Sequence, residues 1–186
     1  MSGITKTINI SNLSGNVNIG DAPEYQINSA INELLILLAT KGTAFVRLEQ
    51  RPTAEVVKKI KHNNISSRSY IIRQYLEYSS KIEDAYKDVN VLIPFGKDII
   101  LRNLNGFYFA ALDEVGIDCV CEQVDMLKVR ESSVFIIDFI IGKLRNFVYE
   151  SMNKPALKEN VELGINVVVA HAFIECVVME NPNNAP

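Results

Sequence analysis

Three residues near the C-terminal end have types and spacing that could do chemistry. His171 and Glu175 stand one helical turn apart, a spacing that stacks two metal ligands on one helix face. Cys176 follows directly, and with Cys119 or Cys121 a mixed metal site can be drawn. The plainer reading is a buried histidine hydrogen-bonded to Glu175 or to a neighbouring helix. His62 and His171 are the only histidines in the 186 residues, which leaves a zinc hydrolase little to build with. A cysteine nucleophile fares worse, because His171, Glu175 and Cys176 sit on one helix whereas such pairs converge from different elements. The glycines are scattered singly, so there is no phosphate-cradling loop. No catalytic residue and no cofactor is assigned. A small helical metal-dependent hydrolase using His171 and Glu175 stands as the alternative function.

The second concentration of functional residue types is basic. Lys58, Lys59, Lys61, Arg68 and Arg73 fall in a stretch whose acidic residue is Glu55. His62-Asn63-Asn64 sits in its middle. A solvated helix face is the ordinary account of such a run. The functional account is a docking patch made by these eight residues, for an acidic protein surface or, weakly or indirectly, for DNA. The paired acids Glu83-Asp84 and Asp113-Glu114 read as solvated.

These residues must be positioned by helices. Pro52 and Thr53 open a short helix carrying Val56, Val57 and Ile60, and the two asparagines break it, since Asn competes for backbone hydrogen bonds. A long helix resumes near Ser66, with Ile72, Tyr75, Ile82, Tyr86 and Val89 on one face. Further helices are expected over 94–115, 127–150 and 157–179, with Gly116 ending the first of them. An earlier helix is expected to start at Asp21-Ala22-Pro23-Glu24 and stop at Gly42. Residues 43–49 read as a connector. Residues 4–20 alternate Ile and Val with Thr, Asn and Ser around Asn12–Asn16, which is strand–turn–strand grammar. This arm either lies on its own helical domain or pairs with a copy of itself or another subunit. The fold expected is a mainly α bundle of five to six helices after a β-hairpin arm, with the arm at 1–22 and the helical domain at 23–186.

Composition narrows the classes. Apolar residues make up 48% and charged residues 22%, with a net charge of −3, which is ordinary for a globular chain and poor for a dedicated nucleic-acid binder. An odd cysteine count of 3 fits a reducing compartment. The N-terminus lacks a secretory layout, and the apolar runs are broken by Asp138, Asn166, His171 and Glu175, so a cytoplasmic protein without a membrane span is expected.

Two separated strings carry a resemblance. One is Pro52-Thr53-Ala54-Glu55-Val56-Val57-Lys58-Lys59-Ile60-Lys61-His62-Asn63-Asn64-Ile65, followed by the Tyr-rich helix; the other is Ala170-His171-Ala172-Phe173-Ile174-Glu175-Cys176-Val177-Val178-Met179-Glu180-Asn181-Pro182. Together they resemble the helical C-terminal domains of bacterial ABC-three-component conflict systems, relatives of Lamassu-type antiphage systems. The β arm, Ile10 to Asp21, also looks like one found in prokaryotic defence proteins. The helical likeness covers roughly residues 50–184. It implies a non-enzymatic adaptor that joins an effector subunit to an ABC ATPase similar to SMC or Rad50 proteins. About 50 residues precede the module, too few for a nuclease or protease domain, which departs from the effector pattern. Self-association would run through residues 4–20.

Overall fold

The computed structural model describes residues 28–41, 51–119 and 124–182. The expected β arm, the boundary at residue 22, the connector at 43–49 and Cys121 lie outside the described residues.

Six helices follow in order: α1 (Ala30–Thr40), α2 (Ala54–His62), α3 (Ser69–Leu92), α4 (Gly96–Glu114), α5 (Met126–Glu150) and α6 (Lys158–Ile174). A single 3-10 turn, Ser66–Arg68, leads into α3. Among the described residues there is no strand, so the mainly helical expectation holds. No helix among them is long and apolar enough to cross a membrane.

Side-chain caps set the helix starts. Thr53 accepts from the Val56 amide, and Asp125 accepts from the amides of Leu127 and Lys128. Ser29 caps α1 in an extended conformation, accepting from the Ile31 amide. Helix α1 thus begins at Ala30; the start expected at residues 21–24 and the stop expected at Gly42 lie outside the described residues.

Three helices end in the same device. After α4, the amide of Gly116 (φ +65°) bonds the Asp113 carbonyl, and the Ile117 amide reaches back to Leu112. This double bond pattern is the Schellman turn, in which a left-handed residue lets the chain fold back over the last carbonyls. The α2 terminus repeats it with Asn64 at φ +54°, bonding Lys61, and Ile65 bonding Ile60. The α6 terminus repeats it with Cys176 at φ +58°, bonding Phe173, and Val177 bonding Ala172. Hence the last helix stops at Ile174 and does not run on to Met179 as its periodicity predicts. The turn was invisible in sequence because a cysteine holds the place that glycine usually holds.

The core is a single cluster. α3 packs against α6, α1 and α4, while α5 packs against α4 and α6. Ile72, Ile82, Tyr86 and Val89 of α3 are buried as expected, and Val161, Ile165, Val168 and Phe173 of α6 are buried with them. The large aliphatic and aromatic side chains buried here supply most of the folding free energy, at roughly 1.5–3 kcal/mol each.

Gly96 is fixed by contact with a stiff neighbour. A Cβ built on Gly96 would lie 2.5 Å from Val89 Cγ1 and 3.4 Å from the Val89 carbonyl. Val89 is β-branched and stiff at χ1, so it cannot swing aside. Gly96→Ala is expected to lower stability by about 1–3 kcal/mol, although alanine is the better helix former. A urea midpoint equal to or above wild type would contradict that packing.

Candidate functional site

The two separated strings meet in space. Helix α2 lays Val56, Lys59, Ile60 and Asn63 along one face, the i, i+3, i+4, i+7 stripe of an inward-facing helix. Lys59 is 4% exposed and Asn63 is 0% exposed. The Lys59 ammonium donates to the Phe173 carbonyl in the last turn of α6 and lies 4.7 Å from the centre of the Phe173 ring. A cation there answers the negative end of the α6 dipole and stacks on an aromatic face. Burial lowers the Lys59 pKa, opposed by its contact with the Cys176 thiol and by Glu180 and Glu175.

Asn63 completes the junction. Its Nδ2 donates to the carbonyls of Glu180 (2.8 Å) and Lys59 (3.1 Å), and its Oδ1 accepts from the Glu180 amide at 3.0 Å. The pattern assigns the amide orientation without ambiguity, because each end faces a partner of one kind. From the other side, Tyr108 of α4 donates to Glu180 Oε1 at 2.7 Å and Asn105 donates to the Val177 carbonyl at 2.7 Å. The turn after α6 is thereby held by α2 and α4 together. The junction borders an open groove of about 570 Å³, whose walls include Val56, Lys58, Tyr75, Phe173, Cys176 and Pro182.

The expected docking residues separate on this geometry. Lys59 and Asn63 are taken up inside the fold, so neither presents its polar group on a surface patch. Arg68 is engaged with Asp138, its Nε 2.8 Å from Oδ1. The His62 carbonyl accepts from Arg130 Nε at 2.6 Å, and burial followed by the Arg130 charge lowers the His62 pKa. Asn64 is exposed and reaches the Arg130 carbonyl at 3.3 Å. Lys58, Lys61 and Arg73 remain exposed. The basic face is therefore smaller than its sequence count.

The acid–histidine pair gains a third member. His171 is fully buried, with its Nε2 2.9 Å from Glu83 Oε1 on α3. Glu175 caps α6, and the ligand atoms of Glu83, His171 and Glu175 all lie within 4.8 Å of one another. Lys97 Nζ is 3.2 Å from both Glu83 oxygens. Burial alone would raise the Glu83 pKa, but the hydrogen bonds from His171 and Lys97 outweigh it and hold the carboxylate below its ordinary value. Burial lowers the His171 pKa against the pull of both acids. Glu83 is thus a partner of a buried imidazole and not a freely solvated acid; the pairing joins positions 88 apart in sequence, which no local pattern announces. Cys176 is exposed beyond the turn, with Sγ 3.7 Å from the Ile174 carbonyl, and is not among the three clustered ligands.

A separate surface stands out at the α3–α4 corner. Val91 (84% exposed), Leu92 (60%), Phe95 (74%) and Ile99 (49%) form an apolar knuckle. Phe95 holds a left-handed conformation, φ +60°. A phenylalanine in that region is strained, and its ring in water gains nothing from the strain.

No family model, curated protein or solved structure matches the chain.

Proposed function

We propose that this protein is a non-enzymatic adaptor subunit of a multicomponent bacterial antiphage or anti-plasmid complex, joining an effector to an SMC- or Rad50-like ABC ATPase. The observation that carries this reading is the convergence of the two strings behind the resemblance. Lys59 and Phe173, and Asn63 and Glu180, are in direct contact across more than a hundred residues of sequence. The strings then act as one structural signature, the lock of a helical module, and not as two unrelated matches. Lys59, Asn63, Phe173 and Glu180 serve there as packing and hydrogen-bonding groups, which suits an adaptor role.

The surface that meets a protein partner in this reading is the α3–α4 knuckle, with Lys58, Lys61 and Arg73 as an accessory basic face. Exposed apolar side chains clustered at one corner mark interaction sites more often than scattered ones do. Aromatic anchors dominate such interfaces, and Phe95 is the anchor here. DNA contact, if any, is indirect or weak, since burial of Lys59 and pairing of Arg68 reduce the charge available for phosphate.

Phe95 gives the reading an unusual sign. Phe95→Gly relieves the left-handed backbone and removes an exposed ring, so stability is expected to rise by about 1 kcal/mol. Partner binding is expected to fall by ten-fold or more, as for loss of a central aromatic anchor. Thermal melts together with co-purification alongside the products of neighbouring genes read both quantities. A variant that is more stable and binds as wild type would remove the knuckle from the proposal.

A further inference from the structure

We propose that Glu83, His171 and Glu175 form a binding site for a divalent transition-metal ion of the Zn2+ class, tying the turn after α6 to α3. The three residues come from the middle of α3, the last turn of α6 and its C-cap, and their ligand atoms already lie within 4.8 Å of one another. Zinc–nitrogen and zinc–carboxylate bonds run about 2.0–2.2 Å, so two ligands on one ion sit about 3–3.5 Å apart. The His171 Nε2 to Glu83 Oε1 separation of 2.9 Å needs only a small opening to admit the ion.

The state of the imidazole favours this use. His171 is 0% exposed, and its Nδ1 has no hydrogen-bond partner among the described residues. Tyr86, whose ring centre is 5.0 Å from that of His171, has a buried hydroxyl that also lacks a partner among them. Buried polar groups without a partner are rare in native folds; with Nε2 on the ion, Nδ1 would carry the ring proton, the donor role that the second nitrogen of a ligating histidine takes.

The Lys97 ammonium spans both Glu83 oxygens at 3.2 Å, while Glu175 lies in the field of the Lys59 ammonium. Lys97 also lies 5.1 Å from the centre of the Tyr86 ring, a second favourable position for an ammonium that has given up Glu83. One imidazole with two carboxylates suits zinc, whereas calcium and magnesium favour all-oxygen shells. Three protein ligands leave the fourth position of a tetrahedral ion open to water. The site shares α6 and its terminal turn with the Lys59–Asn63 lock, so the ion would fasten the same turn from the α3 side.

Isothermal titration of the full chain with zinc chloride, under reducing conditions, tests the site. One equivalent is expected to bind. Glu175→Gln, a change at an exposed residue that leaves the core untouched, is expected to weaken binding about ten-fold or more. Lys97→Met removes the competing ammonium and is expected to tighten it by about ten-fold, as perturbing a group next to the ligands commonly shifts affinity by that order. Absence of stoichiometric uptake overturns the proposal. So does an affinity identical in wild type and Glu175→Gln, the result that thiol binding at Cys119 or Cys176 would give.

Discussion

Replacing Asn63 with alanine is expected to lower the free energy of unfolding by about 2–4 kcal/mol. The side chain is fully buried and makes three hydrogen bonds, two of them to the backbone of Glu180. Removing it leaves the Glu180 amide and carbonyl without their partner in a half-buried turn, and each such loss costs about 1–3 kcal/mol. Asn63→Asp is expected to be no better at neutral pH. It keeps the acceptor for the Glu180 amide but turns a charged oxygen toward the carbonyls of Glu180 and Lys59. Asn64 is the internal control, because the same residue type one position later is exposed at φ +54°. Asn64→Gly should leave stability within a few tenths of a kcal/mol, since glycine adopts that conformation without strain. Denaturant midpoints for the three variants give the comparison. Equal losses at Asn63 and Asn64 would show that the clamp contributes little.

The second large effect is at Lys59, where two substitutions should part. Lys59→Ala removes the buried stem, the ammonium under the Phe173 ring and the hydrogen bond to the Phe173 carbonyl, for an expected loss of about 2–4 kcal/mol. Lys59→Met keeps most of the volume and takes away a charge that is costly to bury. The Phe173 carbonyl still accepts from the Cys176 amide at 3.2 Å. A loss of about 1 kcal/mol or less is expected for Met, in line with the mild outcome of exchanging buried charge for well-packed apolar volume. A Met variant as unstable as the Ala variant would mean the ammonium matters more than the stem. The pH dependence has a definite sign. Burial lowers the Lys59 pKa from the ordinary 10.5, so between the lowered value and 10.5 the unfolded chain binds more protons than the folded one. Stability of wild type relative to Lys59→Met therefore rises with pH through that window.

Much of the scaffold is legible in the sequence. The break at His62-Asn63-Asn64, the start at Thr53 and the inward face of α3 follow from local rules, and the helices obey them. Lys59 was misread for a reason that local rules also explain. Counting Lys58, Lys59 and Lys61 together treats charge as surface, whereas spacing from Val56 puts Lys59 and Asn63 on the inward stripe with Ile60. Periodicity outranked residue type here, and a lysine reached a helix end instead of water. Val57, counted as apolar face, is 36% exposed on the opposite side. Glu83 was not legible at all, because its partner lies on another helix. Neither was the end of α6, where Cys176 takes a conformation that nothing in its side chain demands.

The residues most distinctive in sequence, Lys59, Asn63, Phe173 and Glu180, are distinctive because the fold needs them together. The surface proposed for a partner is made of other residues: the exposed apolar Phe95, Val91 and Leu92, with the exposed cations beside α2 and α3. Stability and binding should therefore respond to different substitutions. Asn63→Ala should lose both together, while Phe95→Gly should lose binding alone.

The most direct measurement is co-purification of the tagged chain with the products of its neighbouring genes, at physiological salt and without nucleic acid. Stoichiometric retention of an SMC-like ATPase or an effector subunit, lost in Phe95→Gly while its melting temperature stays at or above wild type, is the result the adaptor account predicts. A folded chain that retains none of those proteins would contradict it.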